Sequence, residues 1–204
     1  LVGACTPSPQ TTPSPPPEAG PVSGGTLRIA TPYTVSTLDP IKSVAAGDIE
    51  VLGQIYSRLL RRTPDGKEVL PGLAEAWESS VDGLTWTFKL RRGVKWHDGR
   101  PFTSKDVLFT YQTIMNPDVP VRGRVGWNQV ESVELPDDYT VVFKFKTLDA
   151  AFLDRVAIVT ILPQHILSSV PPKDLATHEW FRPNRPGLGP FRFVEWRPGN
   201  YILV

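Results

Sequence analysis

Between residues 84 and 91 apolar and polar side chains alternate without a break. Leu84, Trp86, Phe88 and Leu90 face one way, and Thr85, Thr87, Lys89 and Arg91 face the other. A period of two is that of a β-strand. Asp82-Gly83 before it and Arg92-Gly93 after it are turn signals, so hairpin partners are expected to flank it. A second hairpin is read at 130–135 and 140–146, with Val141, Phe143 and Phe145 on one side and Pro136-Asp137-Asp138 as its turn. Residues 26–30 also alternate and predict an opening strand. A strand pair is expected to begin at 191–196, and 201–204 is a β-type apolar run.

Other stretches follow the helical period. Over 48–60, Ile49, Leu52, Tyr56 and Leu59 stand three and four apart and predict one buried stripe. Pro64-Asp65-Gly66-Lys67 then reads as a turn. Thr103-Ser104-Lys105-Asp106 has the form of a capping box, opening a helix with Val107, Leu108, Tyr111, Ile114 and Met115 on one face. Asn116-Pro117 stops that helix. Residues 149–170 read as helix and buried strand, broken at Pro163.

Composition changes the picture at the front of the chain. Of 204 residues 22 are proline, about twice the usual share, and residues 6–24 hold little besides Pro, Ser, Thr, Gly and Gln. Such a segment has no apolar periodicity and reads as a tether. The single cysteine, Cys5, follows Leu1-Val2-Gly3-Ala4, so an internal disulfide is excluded. The pattern resembles the bacterial lipobox, which implies a signal-peptide remnant at 1–4, lipidation of Cys5 and a tether over 5–25. Two acyl chains on that thiol would anchor firmly. Ending in the run Asn200-Tyr201-Ile202-Leu203-Val204 predicts a chain open at both ends.

Charge and motifs exclude several functions. A formal net charge of +1, from 22 basic and 21 acidic residues, gives no footprint for nucleic acid. No apolar run approaches the ~20 residues that span a bilayer. His97, His165 and His178 stand at no metal-ligand spacing, and Glu75 and Glu78, at helical spacing, read as solvated. Nucleophile-elbow, zinc-protease and phosphate-loop motifs are missing, so no enzyme, cofactor or metal is expected. Trp86, Phe88 and Trp96 read as core, and Asp98-Gly99 as a tight turn.

Four stretches together resemble the family 5 extracellular solute-binding proteins, the oligopeptide, dipeptide and nickel binders of ABC importers. They are Ser36-Thr37-Leu38-Asp39-Pro40; Leu73 to Glu78 with Asp82 to Arg91; Gly93 to Thr103 closed by Asp106-Val107; and Gly187-Leu188-Gly189-Pro190-Phe191-Arg192-Phe193. The block from Leu73 to Val107 is the specific one.

The resemblance implies a mixed α/β fold, type II periplasmic-binding-protein-like and incomplete. Residues 26–45 plus 184–204 would form a partial first lobe and 46–183 a smaller inserted lobe, with the large third lobe missing. It implies a monomeric lipid-anchored receptor outside the cytoplasm, partnered by ABC permease subunits and gripping a small solute, peptide by default. A metal chelate or oligosaccharide is the alternative solute, and a surface adhesion or signalling lipoprotein the alternative role. Solute contacts are expected from Tyr33, Thr34, Ser36, Val44 and Ala46 and from Gly187 and Gly189, where a phenol face and close backbone approach are available. One departure stands out. Oligopeptide binders of the family tend to carry an acidic residue a few positions after Asp-Pro, whereas Lys42-Ser43-Val44-Ala45-Ala46 holds none before Asp48.

Overall fold

A ten-residue helix, α1 (Ala46–Ile55), starts where the loop after Asp39-Pro40 ends, and the chain turns extended at Tyr56. The computed structural model describes residues 24–43, 45–121, 124–181 and 186–204. Cys5, the tether before residue 24 and Val44 therefore lie outside the described residues. Two units are delimited, residues 1–30 and residues 31–204. In the first, residues 24–30 form no strand, and Leu27 and Ile29 are exposed. The alternation of 26–30 thus does not produce the expected strand. A strand needs a hydrogen-bonded neighbour, and no described residue pairs with this one.

Within residues 31–204, α1 is followed by a small hairpin, β1 (Leu60–Arg62) and β2 (Val69–Pro71), turned at Gly66. The helix predicted over 48–60 is thus shorter at its end. Leu52 and Ile55 are buried within it, Tyr56 and Leu59 are buried beyond it, and Ile49 is exposed. β-type residues after Tyr56 are better served by the pairing of Leu60 with Pro71.

Four antiparallel strands make the main sheet, in the order β3 (Ala74–Ser79), β4 (Thr85–Leu90), β6 (Thr140–Phe145), β5 (Val130–Asp137). Register sets Trp77 opposite Phe88, Phe88 opposite Val141, and Trp86 opposite Phe143. Alternation in β4 and β6 therefore delivers Phe88, Leu90, Val141, Phe143 and Phe145 to one buried face. Glu75 and Glu78 lie in an edge strand, not on a helix as their spacing implied, and both are exposed. The buried face is covered by α2 (Ser104–Met115) and by α3 (Phe152–Val156), which presses Phe152 into an aromatic cluster. The Phe152 ring centroid lies 4.6 Å from that of Phe145 and 5.3 Å from that of Phe143. Such edge-on pairs add to the ~1.5–3 kcal/mol that burying each ring contributes.

Capping of α2 follows the sequence reading: the Thr103 N–H donates to Asp106 Oδ2 at 2.9 Å, and Asn116 ends the helix. Asp106 also accepts the Gln164 N–H at 2.9 Å, tying α2 to α4 (Gln164–Leu167). The buried strand expected within 149–170 reduces to a single bridge, Thr160 to Arg58. Pro163 precedes α4, and α5 (Pro172–Leu175) follows. The last pair begins at Glu195 rather than Phe191: β7 (Glu195–Arg197) with β8 (Tyr201–Leu203). Phe191 instead donates its N–H to the Gln54 carbonyl at 3.0 Å, so it serves α1 and not a ladder.

Candidate solute site

Both loops predicted to meet solute are attached to α1, one at each end. At the first turn the buried Asp48 carboxylate accepts the Ser36 N–H at 2.6 Å, the Ser36 hydroxyl at 2.9 Å and the Thr37 N–H at 3.2 Å. A carboxylate in the first turn also meets the positive end of the helix dipole. The acidic residue nearest to Asp-Pro is therefore spent on bracing the loop. Asp39 braces it further, accepting the Ile41 N–H at 2.9 Å and pairing with Lys42 at 3.1 Å. Around this turn stand Tyr33, Thr34, Ser36 and Ala46, all exposed.

At the last turn lie Gly187 and Gly189. The Gly189 N–H donates to the Ile55 carbonyl at 2.8 Å. A Cβ on Gly187 would sit 2.0 Å from the Ile55 oxygen, and one on Gly189 would sit 2.4 Å from the Gln54 oxygen. Glycine is required here because two backbones touch. His97 holds the turn from the other side. Its Nδ1 accepts the Gly187 N–H at 3.0 Å, and its Nε2 lies 2.9 Å from the Gly189 carbonyl oxygen. Since Nδ1 accepts and a carbonyl cannot donate, the ring is the neutral tautomer protonated at Nε2.

The neighbouring side chain, Asp98, bonds His165 Nε2 at 2.8 Å. Far apart in sequence, Asp98 and His165 are thus partners, which spacing does not reveal. Burial opposes ionisation of Asp98, but the His165 bond and the Arg100 N–H outweigh it and hold its carboxyl below the usual range. Asp106 behaves in the opposite way: burial pushes it up, against the N–H bonds from Thr103 and Gln164. Among the described residues no group of three His, Cys, Asp or Glu side chains could hold a metal ion, and no helix is long and apolar enough to cross a membrane.

A cavity of about 330 Å³ opens where the loop at 40–43, the outer face of α1, α2 and residues 155–162 converge. Ile41, Ile49, Leu52, Ile114 and Ile158 give it apolar walls, and Ser43, Arg58, Thr110 and Thr113 add polar groups. Among the described residues Ser43 Oγ is buried without a hydrogen-bond partner. Arg155 also lines the cavity but is ion-paired with Asp149. Among the described residues no carboxylate lines it. Burial lowers the pKa of the Arg58 guanidinium. Of the residues predicted from sequence, Tyr33, Thr34, Ser36, Ala46, Gly187 and Gly189 frame α1 and do not line this cavity. Sequence reasoning misses Arg58, Thr110 and Thr113. Their signal is a lone cation in the apolar run from Ile55 to Leu60, and two threonines on the apolar side of α2.

Comparison with known proteins places this geometry. Residues 68–204 match the model described as "Bacterial extracellular solute-binding proteins, family 5 Middle". The chain is 34% identical over 206 residues to the oligopeptide-binding protein AppA of Bacillus subtilis, covering 100% of this chain and 38% of that protein. It is 35% identical over 184 residues to a putative ABC transporter peptide-binding protein of Brucella ovis, covering 90% of this chain and 34% of the relative. The chain thus spans little more than a third of these relatives.

Among solved structures, AppA in complex with a nonapeptide superposes with a TM-score of 0.77 at 33% identity, covering 83% of this chain and 34% of that one. NikZ from Campylobacter jejuni, in complex with Ni(L-His), superposes with a TM-score of 0.72 at 30% identity, covering 83% and 33%. The fold is accordingly mixed α/β, of the type II periplasmic-binding-protein kind. On the matched residues and the shared structure, the chain belongs to the family 5 bacterial extracellular solute-binding proteins.

Proposed function

We propose that this chain is part of a receptor that captures a solute outside the cytoplasm and delivers it to the permease of an ABC importer, with peptide as the first solute to test. The observation that carries this reading is the cavity of about 330 Å³, apolar-walled and set with a few polar groups, which is the make-up of a small-molecule site. Two further features support it. The relatives include peptide-binding proteins, and α1 gives the loops around 33–43 and 187–191 one rigid support. In this reading residues 26–45 with 184–204 form one lobe, 46–183 form the smaller lobe, and closure on solute is a hinge motion. Tyr33, Thr34, Ser36, Val44, Ala46, Gly187 and Gly189 belong to the rim. Lipid on Cys5 ties the receptor to the membrane.

The test is mass spectrometry of small molecules that co-purify with the whole protein, followed by thermal shift against a peptide library. A true ligand at a hundred times its dissociation constant adds ~2.7 kcal/mol. An empty protein that no peptide stabilises would sink the peptide reading. A nickel-chelate solute has its own support in the likeness to NikZ, and the same mass spectra would reveal it.

A further inference from the structure

We propose that Arg58 reads a carboxylate on the solute, so that the cavity selects an anionic group carried on an apolar body; this rests on the cavity being a wall of the solute site. Arg58 lines that cavity and, among the described residues, has no ion-pair or side-chain hydrogen-bond partner. Among the described residues every other charge at the site is already matched. Arg155 is paired with Asp149, Lys42 with Asp39, and Asp48 with the Ser36–Thr37 backbone. Among the described residues no aspartate or glutamate lines the cavity, so among them Arg58 stands as an uncompensated cation.

Taking a guanidinium partly out of water without a counter-charge is costly, and the fork of an arginine matches a carboxylate in two parallel bonds. The backbone of Arg58 is pinned, since it bridges Thr160 and its carbonyl accepts the Leu73 N–H at 2.9 Å. The cation therefore stands on a fixed wall, ready before ligand arrives. Ser43 Oγ, buried in the same cavity and without a partner among the described residues, offers a hydroxyl as a second contact. Facing these are Ile41, Ile49, Leu52 and Ile114, which suit an aliphatic or aromatic body. A peptide terminus next to a large apolar side chain has this chemistry.

The experiment is an NMR titration of the whole protein with N-acetylphenylalanine and with its neutral amide, which share a body and differ in charge. The acid is expected to bind about tenfold tighter than the amide, as one charge-assisted bond implies, moving the methyl signals of Ile49 and Ile114. R58Q should erase that preference, and R58K, which keeps the charge but loses the fork, should keep only part of it. Equal binding of acid and amide by the unaltered chain, a comparison that needs no variant to fold, overturns the role of Arg58 and leaves the cavity as a solute wall. An undiminished preference in R58Q does the same. Failure of both probes to bind at millimolar concentration overturns the cavity reading itself, and this proposal with it.

Discussion

His97 and Gly187, ninety positions apart, exchange two hydrogen bonds: the His97 N–H donates to the Gly187 carbonyl at 2.9 Å, and the Gly187 N–H donates to His97 Nδ1 at 3.0 Å. With the Nε2 bond to Gly189, this one side chain fastens the glycine turn that in turn covers the end of α1. Substituting H97A removes two side-chain bonds and leaves the Gly187 N–H, in a buried residue, without an acceptor. The expected loss is about 1–3 kcal/mol in urea denaturation, with an unchanged slope. H97A stability equal to that of the unaltered chain would show that the turn holds without the ring.

The glycines of α1 and its neighbouring turn should respond with opposite sign. G189A forces a Cβ to within 2.4 Å of a backbone oxygen, where nothing flexible can yield, and should cost about 1–3 kcal/mol. Gly53 sits inside α1, exposed, with nothing within 4 Å of the place an added methyl would take. G53A should therefore stabilise the chain by about 0.5–1 kcal/mol. Thermal unfolding of both variants checks the pair.

Asp106 and Asp98 predict opposite pH dependences. Burial raises Asp106 in the folded state, so the native chain holds that proton more tightly than the unfolded one. Its contribution is full at low pH and is lost as pH rises through the folded pKa. The stability lost in D106N should accordingly be larger near about pH 3 than near about pH 7. Asp98 is held low, so its contribution is present above the unfolded pKa and disappears as pH falls through the folded one. The deficit of D98N should shrink over the same acid range. Denaturation of both variants at the two pH values reads the signs directly.

Phe152 touches the rings of Trp86, Phe88, Trp127, Phe143 and Phe145. F152A opens a hole at the centre of this cluster and should cost about 3–5 kcal/mol. Loss of near-ultraviolet dichroism with retained sheet signal would accompany it. A cost below about 1 kcal/mol would mean that the aromatic cluster closes over the gap.

Where one local rule dominates, the structure is readable in the sequence. The alternation of β4 and β6 and the Thr103-to-Asn116 helix, with its cap and its proline stop, stand as predicted. Ala74 to Ser79 is only half legible: Asp82-Gly83 announces a partner before β4, but alanines and glutamates favour helices, and pairing with β4 makes the segment a strand. The opening alternation of 26–30 misleads for the converse reason: pattern without a neighbour makes no ladder. The family signature leads to the loops around α1, because those motifs are contiguous. The cavity is not legible, since Ser43, Arg58, Thr113 and Ile158 come from four separate segments. The partnership of His165 with Asp98 is invisible for the same reason.

The bonds from His97 to the turn at 187–189, and from the Ser57 hydroxyl to the Leu188 carbonyl at 2.9 Å, set an order of events during synthesis. After the end of α1 is made, a ribosome must add about 130 more residues before that end is covered. Until then the Ile55 carbonyl, and the His97 ring once it is made, lack the turn's backbone partners, and closing so long a span is slow. Released chains that end shortly before and shortly after the Gly187–Pro190 turn should therefore differ sharply in resistance to protease, although they differ by only a few residues.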